Sequence, residues 1–464
     1  MRVLVIGINY APDLIGVAKY NTELCESLAA QGHAVRVVTA PPYYPDWKVP
    51  SGYRSLWYSS QRLEGVDIIR APIYVPRRPS GVKRLLHHAS FLFSAAIPLL
   101  WSALRWRPDI VLAVAPSLLS APIAKLAATI SGATSWLHVQ DMEVDAAFEL
   151  GLLRKNATAH RLMLGVERRI LGSFDRISTI SPQMMRCLEN KAVAPEKLWE
   201  FRNWIDTSVI LPGSGQTCLR TELGLKPTDI VALYSGAMSN KQGLELIVEA
   251  AAATRNSHPS LQFVLCGNGP VKPTLMQAAN GLGNVHFLDL QPPDRVSELL
   301  STADIHLLPQ RSEISDLVLP SKLAGMLASG RPVVAMAAPG SGIALEMENA
   351  GLVIPPGDAQ ALAAAVIMLA GDKAMRARLG AVARVRAEQK WDRVSILRSI
   401  EVEFLALPPP LTVTATRLRQ PAQSPVRSIE SVTTGSRRRP ESTGRLPASQ
   451  PLRPKVRSVG SAKE

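Results

Sequence analysis

Short apolar runs of strand length alternate with longer helix-like segments along almost the whole chain. A sequence patterned this way is held to parallel sheets covered by helices. The runs at 3–6, 35–39, 110–114, 135–139, 176–181 and 198–201 are separated by helical patterns, two of which close on Gly32 and Gly132. The alternation pauses at Asn203-Trp204-Ile205-Asp206 and at 211–216, a stretch with the composition of a linker. It restarts with runs at 230–234, 262–266, 285–288, 305–308, 332–335 and 352–354. The expected fold class is α/β: two Rossmann-like, doubly wound domains, 1–205 and 206–390. Ligands of such sheets bind beyond the carboxyl ends of the strands, so the two domains should face a central cleft. Residues 391–407 place Val394, Leu397, Ile400 and Phe404 at helical spacing, and this helix is expected to return to the first domain.

The 464 residues are 47% hydrophobic and 19% charged, enough apolar surface for two large cores. The formal charge of +14 raises nucleic acid as a partner, but its placement argues otherwise. Residues 408–464 hold eleven Lys or Arg against three Glu, which leaves +6 for the rest. That tail has no Phe, Trp or Tyr and is dense in Pro, Ser, Thr and Arg, so it is expected to be disordered. No specific nucleic acid is expected.

Cys25, Cys187, Cys218 and Cys266 are far apart and have no His at metal-ligand spacing, which fits thiols in a reducing cytosol. The chain opens directly as a strand, without the basic and apolar regions of a secretion signal, so a cytoplasmic protein is expected. The longest uncharged run, 89–104, falls short of the roughly 20 apolar residues of a spanning helix and contains Pro98. It is expected to be a buried helix. Arg77, Arg78, Lys83, Arg84, His87 and His88 precede it and Arg105 and Arg107 follow. That pattern suits either ordinary charged helix ends or a face held peripherally against anionic lipid.

Four segments carry candidate chemistry. At 316–334, Pro320 fits a first helical turn, Ser321 a cap, and Lys322 adds a positive charge where free N–H groups favour an anion; a diphosphate suits that end. The loop from Gly7 to Gly16 follows the first strand. Gly16 lets backbone amides approach a bound group, but the segment is not Gly-x-Gly-x-x-Gly, which counts against a nicotinamide or flavin enzyme. His138, Asp141, Glu143 and Asp145 crowd one strand end. Either they are surface acids or His138 and Asp141 contact ligand hydroxyls while Glu143 and Asp145 face a second substrate. Gly236 and Lys241 repeat the strand, glycine loop, helix design, and Arg311 follows another strand, so Lys241, Arg311 and Lys322 lie beyond three strand ends of one sheet.

In this order, segments 7–20, 138–153, 234–243, 263–270, Ala303-Asp304, 308–334 and 355–358 resemble the glycosyltransferase family 4 enzymes of the GT-B fold. The likeness spans about residues 1–400 and is strongest to the colanic acid biosynthesis glycosyltransferase group. It implies sugar transfer from a nucleotide-sugar donor, with retained anomeric configuration and no cofactor or required metal. The implied acceptor is a lipid-linked saccharide of an exopolysaccharide pathway, at the inner face of the cell membrane. By the same resemblance His138, Asp141 and Asp316 are catalytic, and Gly16, Lys241, Arg311, Ser321 and Lys322 bind the diphosphate. Gly236, Asn268 and Glu346 bind the donor sugar or nucleoside, and Glu143 and Asp145 the acceptor. The family often carries two glutamates eight residues apart where this chain has Leu317 and Gly325; Asp316 stands in for the first. Two rivals have distinct tests. A basic-tail tether shows no transfer in any form of the chain, and a sugar-nucleotide epimerase converts donor without acceptor.

Overall fold

The computed structural model describes residues 1–13, 16–44, 46–78, 80–115, 118–141, 157–213, 215, 217–311 and 319–407, of which 157–160 and Lys241 by backbone alone. Glu143, Asp145, Asp316 and the tail 408–464 therefore lie outside the described residues. The first sheet contains β1 (Arg2–Ile6), β2 (Ala34–Thr39), β3 (Ser59–Leu63), β4 (Val66–Arg70), β5 (Ile110–Ala115), β6 (Thr134–Val139), β7 (Arg176–Thr179) and β8 (Leu198–Glu200). Their spatial order is β3-β4-β2-β1-β5-β6-β7-β8. Every pairing is parallel except β3 with β4. The sequence Ile-Val-Leu-Ala-Val-Ala of β5 is buried throughout, as a strand covered by helices on both faces requires. The β3–β4 hairpin is absent from the sequence reading because β3, Ser-Ser-Gln-Arg-Leu, is exposed along its whole length and has no apolar face. Its two-residue turn, Glu64-Gly65, has φ of 46° and 79°, the left-handed pair that suits the twist of a tight hairpin.

The second sheet joins β9 (Ile230–Ser235), β10 (Leu261–Cys266), β11 (Val285–Leu288), β12 (Ile305–Leu308), β13 (Val333–Met336) and β14 (Gly351–Ile354). All pairings are parallel, in the order β11-β10-β9-β12-β13-β14. The chain winds outward from β9 in one direction and from β12 in the other, so the switch point, where crossovers leave a crevice, lies between these two strands.

Two segments side by side join the lobes. The Ile205 N–H donates to Trp391 O at 2.8 Å and the Arg393 N–H to Ile205 O at 3.0 Å. After this crossing, Asp392 caps the helix Arg393–Ala406 by accepting from Ser395 N–H. That helix buries Leu397, Ile400 and Phe404 in the first lobe's core, with Phe404 edge-on to Trp136 at 5.0 Å. Burial of each such side chain contributes about 1.5–3 kcal/mol.

The run at 89–104 forms part of a 25-residue helix, Gly81–Arg105. The expectation of a buried helix needs correction. His87, Phe91, Ala95, Pro98, Leu99, Ser102 and Ala103 face the core, while Phe93, Ile97, Trp101 and Leu104 are exposed.

Candidate functional site

Lys322 begins the helix Lys322–Ala328, and its side chain reaches back to the carboxyl end of β9. Its Nζ donates to Tyr234 Oη at 3.1 Å and Gln242 Oε1 at 2.7 Å, and lies 4.3 Å from the Tyr234 ring centroid. Tyr234 in turn donates to Ala237 O at 2.7 Å, which fixes the ring. Both partners of the ammonium are neutral, and among the described residues no carboxylate offsets its burial. Burial lowers its pKa to about 7. A partly buried cation at a switch point whose described partners are neutral is arranged to receive an anion.

The loops around it are held backbone to backbone. Gly236 donates its N–H to Cys266 O at 3.0 Å, and Met238 donates to Asn268 O at 2.9 Å. Gly236, Gly267 and Gly269 take φ of 143°, 148° and 157°. A Cβ on Gly236 would sit 3.7 Å from Lys322 Nζ, over the approach to the charge. A Cβ on Gly267 would lie 1.9 Å from Gly236 O, a backbone atom that cannot move aside cheaply. Gly267→Ala is therefore expected to destabilise the protein by about 1–3 kcal/mol. It should also weaken nucleotide binding, read by denaturant melts and nucleotide titration. Unchanged stability and affinity would show that the glycine contact is not needed.

Three further predicted donor contacts, Asn268, Arg311 and Ser321, are placed differently. Asn268 is exposed beside the Gly236 loop, its Oδ1 accepting from Lys272 Nζ at 3.2 Å. Arg311 lies against Gly243 in that region, but its guanidinium pairs with Glu245 at 2.7 Å on an exposed surface. An exposed pair of this kind is weak and opens readily. Ser321 is exposed with helical φ and ψ, and its side chain makes no cap, so the expected capping bond does not form. It instead lines a small pocket between the lobes with Ile180, Asn203, Leu319, Pro320, Ala324 and Trp391.

Glu346 must be reassigned. It is buried, and its carboxylate accepts from Arg202 at 2.7 Å and from Lys390 at 3.3 Å, while Arg386 donates to its carbonyl. Arg202, reached from the first lobe, also pairs with Glu200 at 2.5 Å and stacks 5.1 Å from the Trp391 ring centroid. Each Glu346 oxygen thus faces a cation, and the Arg202 pair ties the lobes together.

His138 is likewise no exposed catalyst. Its Nδ1 contacts Ser178 Oγ at 2.9 Å and its Nε2 contacts Gln140 Nε2 at 3.0 Å. Because Gln140 Oε1 accepts from Asn203 Nδ2 at 3.1 Å, the Gln140 amide donates to Nε2 and the ring proton sits on Nδ1. Burial drops the imidazole to about 3, so it stays neutral. The chain Ser178–His138–Gln140–Asn203 positions Asn203 at the interlobe pocket. Asp141 is exposed just beyond β6, and Gly16 is exposed at the start of the helix Val17–Ala30 with φ of 64°. Sequence reasoning missed Asp13, inside the Gly7–Gly16 loop. It is buried, one carboxylate oxygen lacks a hydrogen bond, and burial raises its pKa. The nearby Arg70 guanidinium donates to Ala40 O at 3.0 Å and Ala11 O at 2.6 Å, fixing the same loop.

Comparison with known proteins bears on this arrangement directly. The Glycosyl transferase 4-like domain matches residues 16–204, and Glycosyl transferases group 1 matches 229–372. The chain is 38% identical over 405 residues to the putative colanic acid biosynthesis glycosyl transferase WcaI of Escherichia coli (strain K12), covering 86% of this chain and 98% of that protein. Among solved structures it resembles sucrose-phosphate synthase from Thermosynechococcus elongatus, with TM-score 0.69, 19% identity, and 87% and 98% of the two chains covered. It also resembles Anabaena Alr3699/HepE in complex with UDP-glucose, with TM-score 0.63, 16% identity, and 88% and 100% covered. At such identities these two likenesses establish the fold. A 4-like domain followed by a group 1 domain, each a parallel sheet wound as in its GT-B neighbours, makes this chain a member of that glycosyltransferase family and an enzyme of the WcaI type in polysaccharide biosynthesis.

Proposed function

We propose that the enzyme transfers a sugar, with retained anomeric configuration, from a nucleoside-diphosphate donor to a lipid-linked oligosaccharide in exopolysaccharide assembly. The reaction takes place in the cytoplasm at the inner membrane face. The observation that carries the donor half is Lys322: an ammonium at the β9/β12 switch point held, among the described residues, by Tyr234 and Gln242. As the glycosidic bond breaks, negative charge develops on the departing diphosphate. A pre-placed cation in a partly dry site meets it without reorganisation. Arg311 adds a second positive group once its exposed pair with Glu245 opens, and Lys241 follows β9 in the same loop. With protein cations in this role, no metal is required, and a chelator should leave turnover unchanged. The resemblance to family 4 supports attack from the same face as the leaving group. The same resemblance supports the lipid-linked acceptor, and the 38% identical relative, a putative colanic acid biosynthesis glycosyl transferase, supports the exopolysaccharide role.

The protonation of Lys322 gives a direct test. In the empty site the ammonium has a pKa of about 7, and a bound diphosphate raises it. The complex therefore holds more proton than the free enzyme. Donor affinity should be full below about pH 7 and fall as pH rises through 7, by up to about tenfold per unit, until the raised value in the complex is passed. Titration with UDP-, GDP- and ADP-sugars from pH 6 to 9 reads this slope. Product analysis by NMR reads the anomeric configuration. Flat affinity for the preferred donor would remove Lys322 from the diphosphate, and an inverted product would remove the same-face step.

A further inference from the structure

The helix Gly81–Arg105 has the length and composition to cross a membrane, yet only 28% of its most apolar 18-residue window is buried inside the protein. The outward side chains form a stripe. Phe93 is 75% exposed, Ile97 65% and Trp101 59%, spaced four residues apart along one face, with Leu86 before them and Leu104 after. The preceding edge extends this surface. Leu56 and Trp57 are exposed, and Tyr58 donates its hydroxyl to Ser94 O at 2.9 Å, which anchors the β3 edge against the helix. Isolated exposed apolar residues need no explanation, but a continuous patch of Trp, Tyr, Phe and Ile does.

The helix and the segments flanking it carry charge of one sign. Between residues 71 and 108 there are six Lys or Arg and no Asp or Glu. Arg77, Arg78, Lys83 and Arg84 lie at one end of the helix, and Arg105 and Arg107 at the other, with Arg105 stacked 4.6 Å from the Trp101 ring centroid. We propose that this face docks on an anionic lipid bilayer, with the helix lying along the headgroup boundary, its apolar stripe inserted and its basic ends on lipid phosphates. The mode fits an amphipathic interfacial helix, and Trp and Tyr favour that depth. A spanning arrangement is excluded by the opposite face, where Phe91, Ala95, Leu99 and Ala103 are packed into the first lobe's core. A second copy of this chain is disfavoured as the occupant. Both ends of the stripe are basic, so parallel and antiparallel pairing alike set cations against cations.

The proposal deepens the lipid-linked reading of the acceptor, but it rests on the helix surface and can fail separately. The test uses the full chain and its triple variant Phe93→Ser, Ile97→Ser, Trp101→Ser. These side chains are exposed, so the fold should be kept, as checked by circular dichroism. Sedimentation with phosphatidylcholine vesicles containing phosphatidylglycerol, at physiological salt, should show binding that the variant loses by about tenfold or more. Trp fluorescence should be quenched by brominated lipid in the wild type. Transfer to a water-soluble acceptor analogue should be equal in both proteins; its absence in both would overturn the acceptor reading and leave the membrane result standing. The proposal is overturned if the wild type does not bind the vesicles or if the variant binds as well as the wild type. Binding lost only on removal of residues 408–464, or a concentration-dependent dimer abolished by the variant without vesicle binding, would also overturn it.

Discussion

Lys322→Ala is expected to lower turnover by about 10²–10³-fold, the loss seen when one pre-placed donor to a developing negative charge is removed. The fold should survive, and the structure says why. Tyr234 keeps its bond to Ala237 O, and the lost ammonium is a group whose burial is unfavourable at neutral pH. The folded pKa of about 7 lies below the unfolded value near 10.4, so between these limits the unfolded chain holds a proton that the native state gives up. Wild-type stability should therefore rise with pH across that window, and the alanine variant should lose this slope. Kinetics and pH-dependent melts on one pair of proteins separate catalysis from folding. Near-normal turnover with a lost stability slope would leave Lys322 buried but idle.

Glu346→Gln tests the reassignment of a residue that sequence resemblance placed on the donor. Removing the charge leaves the buried Arg202, and with it the half-exposed Lys390, facing a neutral amide. Breaking such a pair by removing one partner costs about 3–5 kcal/mol, and the low end is expected because Arg202 keeps Glu200. The loss should appear in denaturant melts. Donor KM, measured well below the melting range, should be unchanged. A raised KM with unaltered stability would return Glu346 to the donor site.

The two-domain plan was legible because parallel strands covered on both faces must be continuously apolar. The runs at 110–114 and 263–266 are continuously apolar, and both lie in buried strands. The β3–β4 hairpin was not legible, since an exposed edge strand such as Ser59–Leu63 carries no apolar pattern to read. The helix at 81–105 was half legible: composition marks it as apolar but cannot say that only one face finds a core.

The site divides in the same way. Lys322 stood out as a charge beside a turn and a buried strand, and it lies at the switch point. The residues that hold it, Tyr234 and Gln242, are eighty or more positions away in sequence, and only the pairing of β9 with β12 brings them together. His138 and Glu346 misled for a shared reason. Polar residues near strand ends suit a ligand or a buried network equally well, and partners such as Ser178 and Arg202 are invisible without the fold. Asp13 shows the converse: a buried carboxylate with an open oxygen, hidden in a loop noticed only for its glycines.

The central claim is that the Lys322 ammonium receives the donor's diphosphate between β9 and β12. A crystal structure of the enzyme with its preferred nucleoside diphosphate measures this directly. The account predicts a phosphate oxygen within about 3 Å of Lys322 Nζ, displacing the Gln242 contact. A diphosphate bound elsewhere, with Lys322 still held by Tyr234 and Gln242, would contradict it.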